Sequence, residues 1–289
     1  MTETTAALTA ADGKTIAVGD ILTHYHDEGT GDAVLLLHGS GPGVSAWANW
    51  SRTFPVLAGY HRVIAPDIVG FGYSERPADV RYGVDAWIAH AVGFLDALGI
   101  KKADIVGNSM GGRVALGIAD RHAERVRRLV LMGSGGIGGE MTDGLRQVRE
   151  YQPSEAAMRD LISTAFVYDQ SLVTRQLVEA RYQASVAPGA QEAYWAMFHD
   201  QRHDGNKMAV EESLITAIQA PTLIVHGYDD KVIPVERSLK LLELLPNAEL
   251  HVFKNCGHWT QLEYPDEFNK LVLDFLSRPI PNDDTERGL

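Results

Sequence analysis

The stretch Ala103-Asp-Ile-Val-Gly107-Asn-Ser109-Met-Gly111 decides how this chain folds. Its first half is a short apolar run of the kind that forms a buried strand, and its second half fits G-x-S-x-G at the start of a helical segment, residues 111–122. A strand that turns sharply into a helix leaves room only for small residues beside the serine. The turn also directs the serine hydroxyl and the next N–H outward, at the positive end of the helix. The motif therefore predicts Ser109 as a nucleophile at the end of a strand.

On both sides of this motif, short apolar runs alternate with amphipathic segments, which is typical of β-α-β units around a mostly parallel sheet. The predicted strands are residues 15–18, 22–26, 33–37, 62–65, 103–106, 128–132, 222–225 and 249–253. The first two flank Gly19-Asp20 and indicate a hairpin. The predicted core helices are residues 84–98, 111–122, 236–245 and 265–276. We therefore predict an α/β fold with a twisted, mostly parallel sheet flanked by helices.

Residues 138–220 interrupt this alternation. They contain aromatic-rich helical patterns at 161–168, 172–182 and 191–198 but no pattern of a buried strand. The sequence therefore predicts two units. A core is formed by residues 1–137 and 221–289, and a helical cap of residues 138–220 is inserted between two strands of its sheet.

Composition and charge exclude several classes of function. The 289 residues carry 26 basic and 38 acidic side chains, a net charge of −12, which argues against nucleic acid or an anionic membrane as a partner. No apolar run approaches the ~20 residues of a membrane span, and residues 1–11 lack the pattern of a secretory signal. The single cysteine, Cys256, cannot form an internal disulfide, so we expect a cytoplasmic protein.

A serine hydroxyl is a weak nucleophile, so a base and an orienting acid are expected further along the chain. Asp230 and His258 each follow a predicted strand. The chain order Ser, Asp, His, with each residue at the carboxyl end of a strand, is that of α/β-hydrolases. We predict Ser109, Asp230 and His258 as the catalytic triad. Asp229 is the alternative acid.

The glycine-rich sequence HGSGPG at residues 38–43 follows another predicted strand. Such a loop can present the N–H of Ser40 beside that of Met110 to a tetrahedral intermediate, as an oxyanion hole. A dinucleotide or phosphate site is the rival interpretation, but the spacing matches neither G-x-G-x-x-G nor G-x-x-x-x-G-K-[ST]. His38 is expected to support the loop through hydrogen bonds.

These residues resemble a known family. From about residue 13 to residue 276 the chain is similar to α/β-hydrolases. The HGSGPG loop and Gly107-Asn-Ser-Met-Gly-Gly112 resemble the meta-cleavage product hydrolases, the C–C bond hydrolases of bacterial aromatic degradation. Further matches are Trp47-Ala-Asn49, Phe166-Val-Tyr-Asp169, Glu179-Ala-Arg-Tyr182 and Gly257-His-Trp259.

The resemblance implies hydrolysis of a 2-hydroxy-6-oxohexa-2,4-dienoate to 2-hydroxypenta-2,4-dienoate and a carboxylic acid, with no metal or organic cofactor. It implies that Arg181 binds the carboxylate and 2-oxygen of the substrate, with Asn49 and Asn108 hydrogen-bonding at the same end. Physical reasoning agrees about Arg181. An acidic protein that binds an anion needs a buried local cation, and the guanidinium fork suits a carboxylate.

The resemblance also assigns the walls of the substrate pocket. Phe166 and Trp259 would pack against the dienoate chain, and simple core packing is the alternative for both. Val232 and Ile233 would line the acyl side. Both are smaller than an aromatic ring, and together with Ile137 they favour a hydrogen or alkyl substituent on the 6-carbonyl over a phenyl group.

Other classes of function stay open. A carboxylesterase or lactone hydrolase would use the same triad, and Arg181 would then lie on the surface, as most arginines of amphipathic helices do. The complete triad disfavours a non-enzymatic receptor. Dehalogenases and epoxide hydrolases use an aspartate where this chain has Ser109. Members of the resembled family are often homo-oligomers, which is left open here.

Overall fold

The computed structural model describes residue 9 and residues 12–204 and 207–280, and it contains an eight-stranded sheet. The strands are β1 (Lys14–Val18), β2 (Ile21–Glu28), β3 (Ala33–Leu37), β4 (Arg62–Pro66), β5 (Ala103–Asn108), β6 (Val126–Met132), β7 (Thr222–Gly227) and β8 (Ala248–Phe253). Their order is β1-β2-β4-β3-β5-β6-β7-β8. β2 is antiparallel to both of its neighbours, and every other pair is parallel. The predicted α/β fold with a mostly parallel sheet is confirmed.

Each of the four predicted core helices is present, with ends that differ from the prediction by at most one residue, and the structure adds short core helices that the sequence does not predict. The helices are α1 (Ala46–Trp50), α2 (Phe54–Ala58), α3 (Val84–Ala97), α4 (Met110–Arg121), α5 (Asp143–Arg149), α6 (Glu155–Leu161), α7 (Arg175–Ser185), α8 (Ala190–His199), α9 (Glu212–Ala217), α10 (Val235–Leu244), α11 (Thr260–Glu263) and α12 (Pro265–Leu276). A π-helical turn, Ile162–Phe166, continues α6. The helical segment predicted at 161–168 thus begins earlier, at α6, and ends at Phe166.

Both faces of the sheet are covered, which explains why its central strands are apolar throughout. All five residues of β3 are buried. Leu35 and Leu37 belong to the cluster that includes side chains of α3 and α4. Val34 and Leu36 belong to a second cluster, with side chains of α1, α2 and α12. Each such side chain stabilises the fold by about 1.5–3 kcal/mol when fully buried.

The helices α5 to α8 lie between β6 and β7 in the chain, where the cap was predicted. Side chains of α5, α6 and α7 form a third apolar cluster together with Val232, Ile233 and Trp259 of the core. The cap is therefore seated over the loops that follow β7 and β8. Helix α9, near the end of the range 138–220, packs against α4 and α10. The exact limits of the two units stay a prediction, and residues 1–8, 10–11, 205–206 and 281–289 lie outside the described part of the chain.

The turn from β5 into α4 is packed tightly against β3. A Cβ atom at Gly111 would lie 2.1 Å from the carbonyl oxygen of Leu37, and one at Gly107 would lie 2.5 Å from the carbonyl oxygen of Gly111. Both glycines of the G-x-S-x-G pattern are thus required by close backbone approach. This packing fixes where the residue between them, Ser109, is held.

We expect Gly111→Ala to lower the free energy of unfolding by about 3 kcal/mol or more, because β3 cannot move away from the new Cβ without losing its strand pairing. Equilibrium urea unfolding followed by circular dichroism measures the loss. Gly59→Ala is the matched control. Gly59 has helical backbone angles, and its nearest neighbour to a new Cβ is 3.4 Å away, so its stability should change by less than about 1 kcal/mol. Equal losses in both variants would contradict this packing.

Candidate active site

One small cavity lies between the core and the cap and brings together most of the predicted site residues. Its volume is about 20 Å³, which is enough for a single water molecule. It is lined by Gly39, Ser40, Gly41, Val44, Asn49, Asn108, Ser109, Leu145, Val148, Phe166, Arg181, Val232, His258 and Trp259. Met110 and Ile233 are the two predicted site residues outside this lining, besides the buried acid Asp230.

The three predicted triad residues lie at the carboxyl ends of their strands. Ser109 stands between β5 and α4, Asp230 follows β7, and His258 follows β8. The Nδ1 atom of His258 is 2.7 Å from Oδ2 of Asp230. Within the described part of the chain, no hydrogen bond joins the Ser109 hydroxyl to His258, although both line the cavity. Hydrogen bonds of this kind often tighten only when substrate is bound.

The carboxylate of Asp230 is buried and has several hydrogen-bond partners. Burial alone would raise its pKa, but the charge of a protonated His258 and hydrogen bonds from His226 and His258 outweigh burial and hold the pKa of Asp230 well below its usual range. Its Oδ1 accepts the N–H groups of Val232 and Ile233 at 2.8 and 2.9 Å. The ionised carboxylate is therefore fixed in place and can orient His258 with Nε2 free to accept a proton.

His226 is a site residue that sequence reasoning missed. Its ring is fully buried in β7, and Nε2 donates to the carbonyl oxygen of Ile233 at 2.8 Å while lying 3.3 Å from Oδ2 of Asp230. Its Nδ1 is 2.6 Å from the hydroxyl of Ser238. Because a carbonyl oxygen only accepts, Nε2 of His226 carries a proton, and Nδ1 shares a further hydrogen bond with the Ser238 hydroxyl. His226, held by Ser238, thus helps to fix the position of Asp230, the predicted catalytic acid.

The loop at residues 38–43 lies directly against the turn that holds Ser109. A Cβ atom at Gly39 would be 3.1 Å from Oδ1 of Asn108 and 3.3 Å from Cβ of Ser109. Ser40 lines the cavity, and Met110 is the first residue of α4. The N–H of a first helical residue has no partner within its helix. This placement is compatible with an oxyanion hole formed by Ser40 and Met110, which stays a prediction.

His38 supports the same loop. Its Nδ1 donates to the carbonyl oxygen of Gly39 at 2.6 Å, and its Nε2 accepts the N–H of Ile68 at 2.9 Å. Burial lowers the pKa of His38, which favours the neutral ring that these two hydrogen bonds require. The geometry is therefore that of a structural histidine.

Arg181 projects from α7 of the cap into the cavity. Its side chain is only 4% exposed, and its Cζ lies 5.1 Å from the ring centroid of Trp259. Nη2 is 3.2 Å from the position that a Cβ would take at Gly41. Within residues 12–204 and 207–280, no carboxylate lies within ion-pair distance of Arg181, and its Nε has no hydrogen-bond partner. Burial lowers the pKa of this guanidinium to about 10, so it remains charged at neutral pH.

The aromatic side chains of Phe166 and Trp259 join the cap to the loop that carries His258. The ring of Phe166 stacks on that of Trp259, with centroids 4.5 Å apart, and faces His258 at 6.1 Å. The carbonyl oxygen of Phe166 accepts the N–H groups of His258 and Trp259 at 2.8 and 3.2 Å. Phe166 ends the π-helical turn, a feature that is frequent at functional sites. The two aromatic side chains therefore belong both to the cap cluster and to the cavity wall.

Glu263 makes a second connection between the cap and the loop that carries His258. The sequence analysis does not predict this role of Glu263. Its Oε2 accepts the N–H groups of Tyr168 and Asp169 at 2.8 Å each, and its Oε1 accepts that of Gly257 at 2.6 Å. Burial raises the pKa of Glu263, although these hydrogen bonds oppose the rise. Nothing in the local sequence signals the contacts with Tyr168 and Asp169, because these partners are 95 and 94 residues away in the chain.

The two predicted asparagines lie together at the cavity. Oδ1 of Asn49 accepts the N–H of Gly39 at 3.4 Å, and Nδ2 of Asn108 donates to the carbonyl oxygen of Met132 at 3.2 Å. Nδ2 of Asn49 is buried and has no hydrogen-bond partner in the part of the chain that the structure describes. Asn49 therefore offers the cavity an unused donor.

The acyl side of the predicted pocket is lined by Val232, with Leu145 and Val148 of α5. Ile233 is buried nearby, in the same apolar cluster, but is not among the cavity-lining residues. Its role in substrate binding stays a prediction.

Cys256 is buried, and burial raises the pKa of its thiol, so the thiol is a poor nucleophile.

Among the described residues, no three histidine, cysteine, aspartate or glutamate side chains are grouped so that they could hold a metal ion. A search of the same residues for a helix long and apolar enough to cross a membrane finds none. The predicted absence of a metal, cofactor or nucleic-acid partner stays a prediction.

A mostly parallel sheet with a serine on the turn after β5, an acid after β7 and a histidine after β8 is the arrangement of an α/β-hydrolase. The family model for the alpha/beta hydrolase fold matches residues 32–265 of the chain.

Comparison with known proteins narrows the class. A 2-hydroxymuconate semialdehyde hydrolase of Pseudomonas sp. (strain CF600) is 52% identical over 268 residues, which cover 92% of this chain and 94% of that protein. A 2-hydroxy-6-oxo-2,4-heptadienoate hydrolase of Pseudomonas putida is 50% identical over 266 residues, covering 92% and 96%. A serine-to-alanine mutant of the meta-cleavage product hydrolase CumD of Pseudomonas fluorescens IP01, complexed with acetates, is 50% identical, covers 91% of this chain and 97% of its own, and superposes with a TM-score of 0.87. The chain therefore belongs to the α/β-hydrolase fold family and, within it, to the meta-cleavage product hydrolases.

We expect Asp230→Asn to lower kcat for hydrolysis by about 10⁴-fold, because an amide that donates to Nδ1 of His258 fixes the wrong tautomer of the ring. Steady-state kinetics at pH 7 measure the loss. Asp229→Asn is the matched control, since it removes the same charge one residue away, and its kcat should change little. A loss after Asp229→Asn as large as that after Asp230→Asn would reverse the assignment of the acid.

Proposed function

We propose that this protein hydrolyses the C–C bond of a 2-hydroxy-6-oxohexa-2,4-dienoate, yielding 2-hydroxypenta-2,4-dienoate and a carboxylic acid, in the degradation of aromatic compounds. The observation that carries the proposal is Arg181, a buried guanidinium without a carboxylate partner among the described residues. It lines the same cavity as Ser109 and His258. The relatives at 50–52% identity are named for substrates of this class.

Ser109 is the proposed nucleophile. His258, oriented by Asp230, accepts the proton of the Ser109 hydroxyl as the oxygen attacks the 6-carbonyl carbon of the substrate. The N–H groups of Ser40 and Met110 then stabilise the negative charge on the former carbonyl oxygen. Ser40, Ser109 and His258 line the cavity, and Met110 directly follows Ser109 as the first residue of α4.

A carbon leaving group needs a site that accepts its electron pair. In the proposed sequence the 2-hydroxy dienoate first becomes its 2-oxo tautomer, and His258 moves the proton to C5. When the C5–C6 bond breaks, its electron pair is delocalised through C3 and C4 onto the 2-oxygen as a dienolate. The dienolate takes up the proton that His258 removed from Ser109, which gives 2-hydroxypenta-2,4-dienoate and leaves His258 neutral. The acyl group stays on Ser109 until water, activated by His258, releases it as a carboxylic acid.

Arg181 is suited to this sequence because the negative charge grows at the end of the substrate that it binds. A guanidinium fork can hold the carboxylate and the 2-oxygen together, and the unused Nδ2 donor of Asn49 lies at the same cavity. Hydrolysis of a neutral carboxylester or lactone would use the same triad. It would leave the guanidinium of Arg181 buried without a counter-charge, which is unfavourable by several kcal/mol.

The acyl side of the cavity favours a small substituent on the 6-carbonyl. Val232, Leu145 and Val148 form a closed aliphatic wall there. The two relatives are named for substrates with hydrogen or methyl at that position. We propose a hydrogen or a short alkyl group over a phenyl group.

The proposal also covers the partners of the protein and the compartment in which it acts. The net charge of −12 favours a small anionic substrate that is held by a local cation over nucleic acid. The single, buried thiol of Cys256 suits the reducing cytoplasm. A homo-oligomer remains part of the proposal on the family resemblance alone.

The proposal is tested with 2-hydroxymuconic semialdehyde, its 6-methyl analogue and its 6-phenyl analogue, by following the loss of their visible absorbance. We expect fast bleaching of the first two and slower bleaching of the third. Ser109→Ala should lower kcat by about 10⁶-fold, because the nucleophile is removed while binding is kept. If the folded protein hydrolyses an aryl ester but bleaches none of the three dienoates, the proposal is wrong and an esterase remains.

A further inference from the structure

The catalytic cavity is too small for a six-carbon dienoate. Its volume of about 20 Å³ fits one water molecule, so substrate reaches Ser109 only after the cavity widens. A second cavity, of about 330 Å³, lies beside it between core loops and the cap. We call this second cavity the vestibule. Its lining includes Val44, Phe71, Arg76, Tyr151, Ser185 and Trp195.

The vestibule and the catalytic cavity share a wall. Gly41 and Val44 line both. Arg181 lies at this wall, because its Nη2 is 3.2 Å from the position of a Cβ at Gly41. One turn further along α7, Ser185 lines the vestibule, and its hydroxyl is 3.2 Å from the hydroxyl of Tyr151. The guanidinium that would hold the carboxylate of the substrate thus lies beside a residue that lines the vestibule.

Arg76 supplies a positive charge in the vestibule. The side chain of Arg76 is half-buried, and its Nη2 donates to the carbonyl oxygen of Gly72. Its Nε is buried without a hydrogen-bond partner, and no carboxylate in the described part of the chain lies within ion-pair distance of it. The other charged residue of the lining is Glu192, which is exposed in the first turn of α8, where the helix dipole offsets its charge.

We propose that the vestibule is an access site for the anionic dienoate, in which Arg76 binds the substrate carboxylate before Arg181 does. The inference rests on the proposed function. The apolar side chains of Val44, Phe71 and Trp195 suit the diene chain. Arg76 lines the vestibule and Arg181 lines the catalytic cavity, and neither has a carboxylate partner among the described residues. The carboxylate therefore passes from one cation to the next when the wall formed by Gly41 and Val44 opens.

In this role Arg76 lowers the free-energy barrier that the substrate crosses when it enters or leaves the catalytic cavity. Arg76 does not contact the substrate once it is bound in that cavity. In the Ser109→Ala background, stopped-flow mixing with 2-hydroxymuconic semialdehyde measures both rate constants. We expect Arg76→Gln to lower kon and koff together by about tenfold, leaving Kd nearly unchanged, and to weaken the dependence of kon on salt. Arg175→Gln is the matched control, because Arg175 is exposed on α7, outside the vestibule lining. Unchanged rate constants in Arg76→Gln would overturn the proposal, and so would a change in Kd alone.

A second measurement detects the vestibule without any catalysis. Hexa-2,4-dienoate, a simple anionic diene, is titrated into the Arg181→Met variant, and quenching of Trp195 fluorescence is followed with Trp195→Phe as the blank. We expect binding that Arg76→Gln weakens about tenfold. Binding that is absent, or insensitive to Arg76→Gln, overturns the vestibule. The proposed function fails separately, if the wild-type protein bleaches no dienoate.

Discussion

The turn between β5 and α4 is the constraint on which the rest of the site depends. Ser109 is held there at a φ of 54°, where residues other than glycine are strained by about 1–3 kcal/mol. Its N–H donates to the carbonyl oxygen of Met132, and its carbonyl oxygen accepts the N–H of Gly135, both at 2.9 Å. Among described residues, the one other non-glycine residue with positive φ is Asn255, in the loop that carries His258. Strain is thus confined to the two loops that must bring nucleophile and base together.

The buried charges of this protein fall into two kinds. Asp104 is buried and paired with Arg127 and Arg128 at 3.1 Å each, so its charge is balanced within the fold. Asp230 is balanced by histidines and backbone N–H groups. No described carboxylate lies within ion-pair distance of the buried guanidinium groups of Arg113 and Arg181, and of these two Arg181 lines the cavity with Ser109. A fold does not gain from a buried unpaired cation, and the missing counter-charge is best supplied by a substrate.

The fold could be predicted from the sequence because its signals are local. Buried parallel strands are short apolar runs, and the long helices beside them show a clear apolar face, so these elements are predictable with small errors at their ends. The short helices α1, α2 and α11 are not predictable in this way. The cap was less predictable. The segment after α6 forms a π-helical turn up to Phe166, whose carbonyl oxygen accepts N–H groups of His258 and Trp259. A contact between residues so far apart in the chain leaves no local pattern.

In the candidate site, as in the fold, residues with a local sequence signal are predictable and residues that act through distant contacts are not. The predicted nucleophile, acid and base follow strands in a recognisable order. The contacts of His226 with Ser238, and of Glu263 with Tyr168 and Asp169, leave no such pattern in the sequence. Arg181 is assigned by resemblance, with support from the need of an acidic protein for a local cation beside an anionic substrate. The spacing on α7 is a further signal, because Val178, Arg181 and Ser185 follow one another at intervals of three and four residues and form the buried face of the helix.

The most direct test of the central claim, that Arg181 binds the substrate carboxylate, is the affinity of Ser109→Ala for unreacted 2-hydroxymuconic semialdehyde with and without Arg181→Met. A charge-assisted hydrogen bond contributes about 1.5–3 kcal/mol, so the account predicts a Kd raised about 10- to 150-fold by Arg181→Met. In an otherwise wild-type chain, Arg181→Met should hydrolyse p-nitrophenyl acetate at close to the normal rate. Equal Kd values with and without the guanidinium would contradict the account.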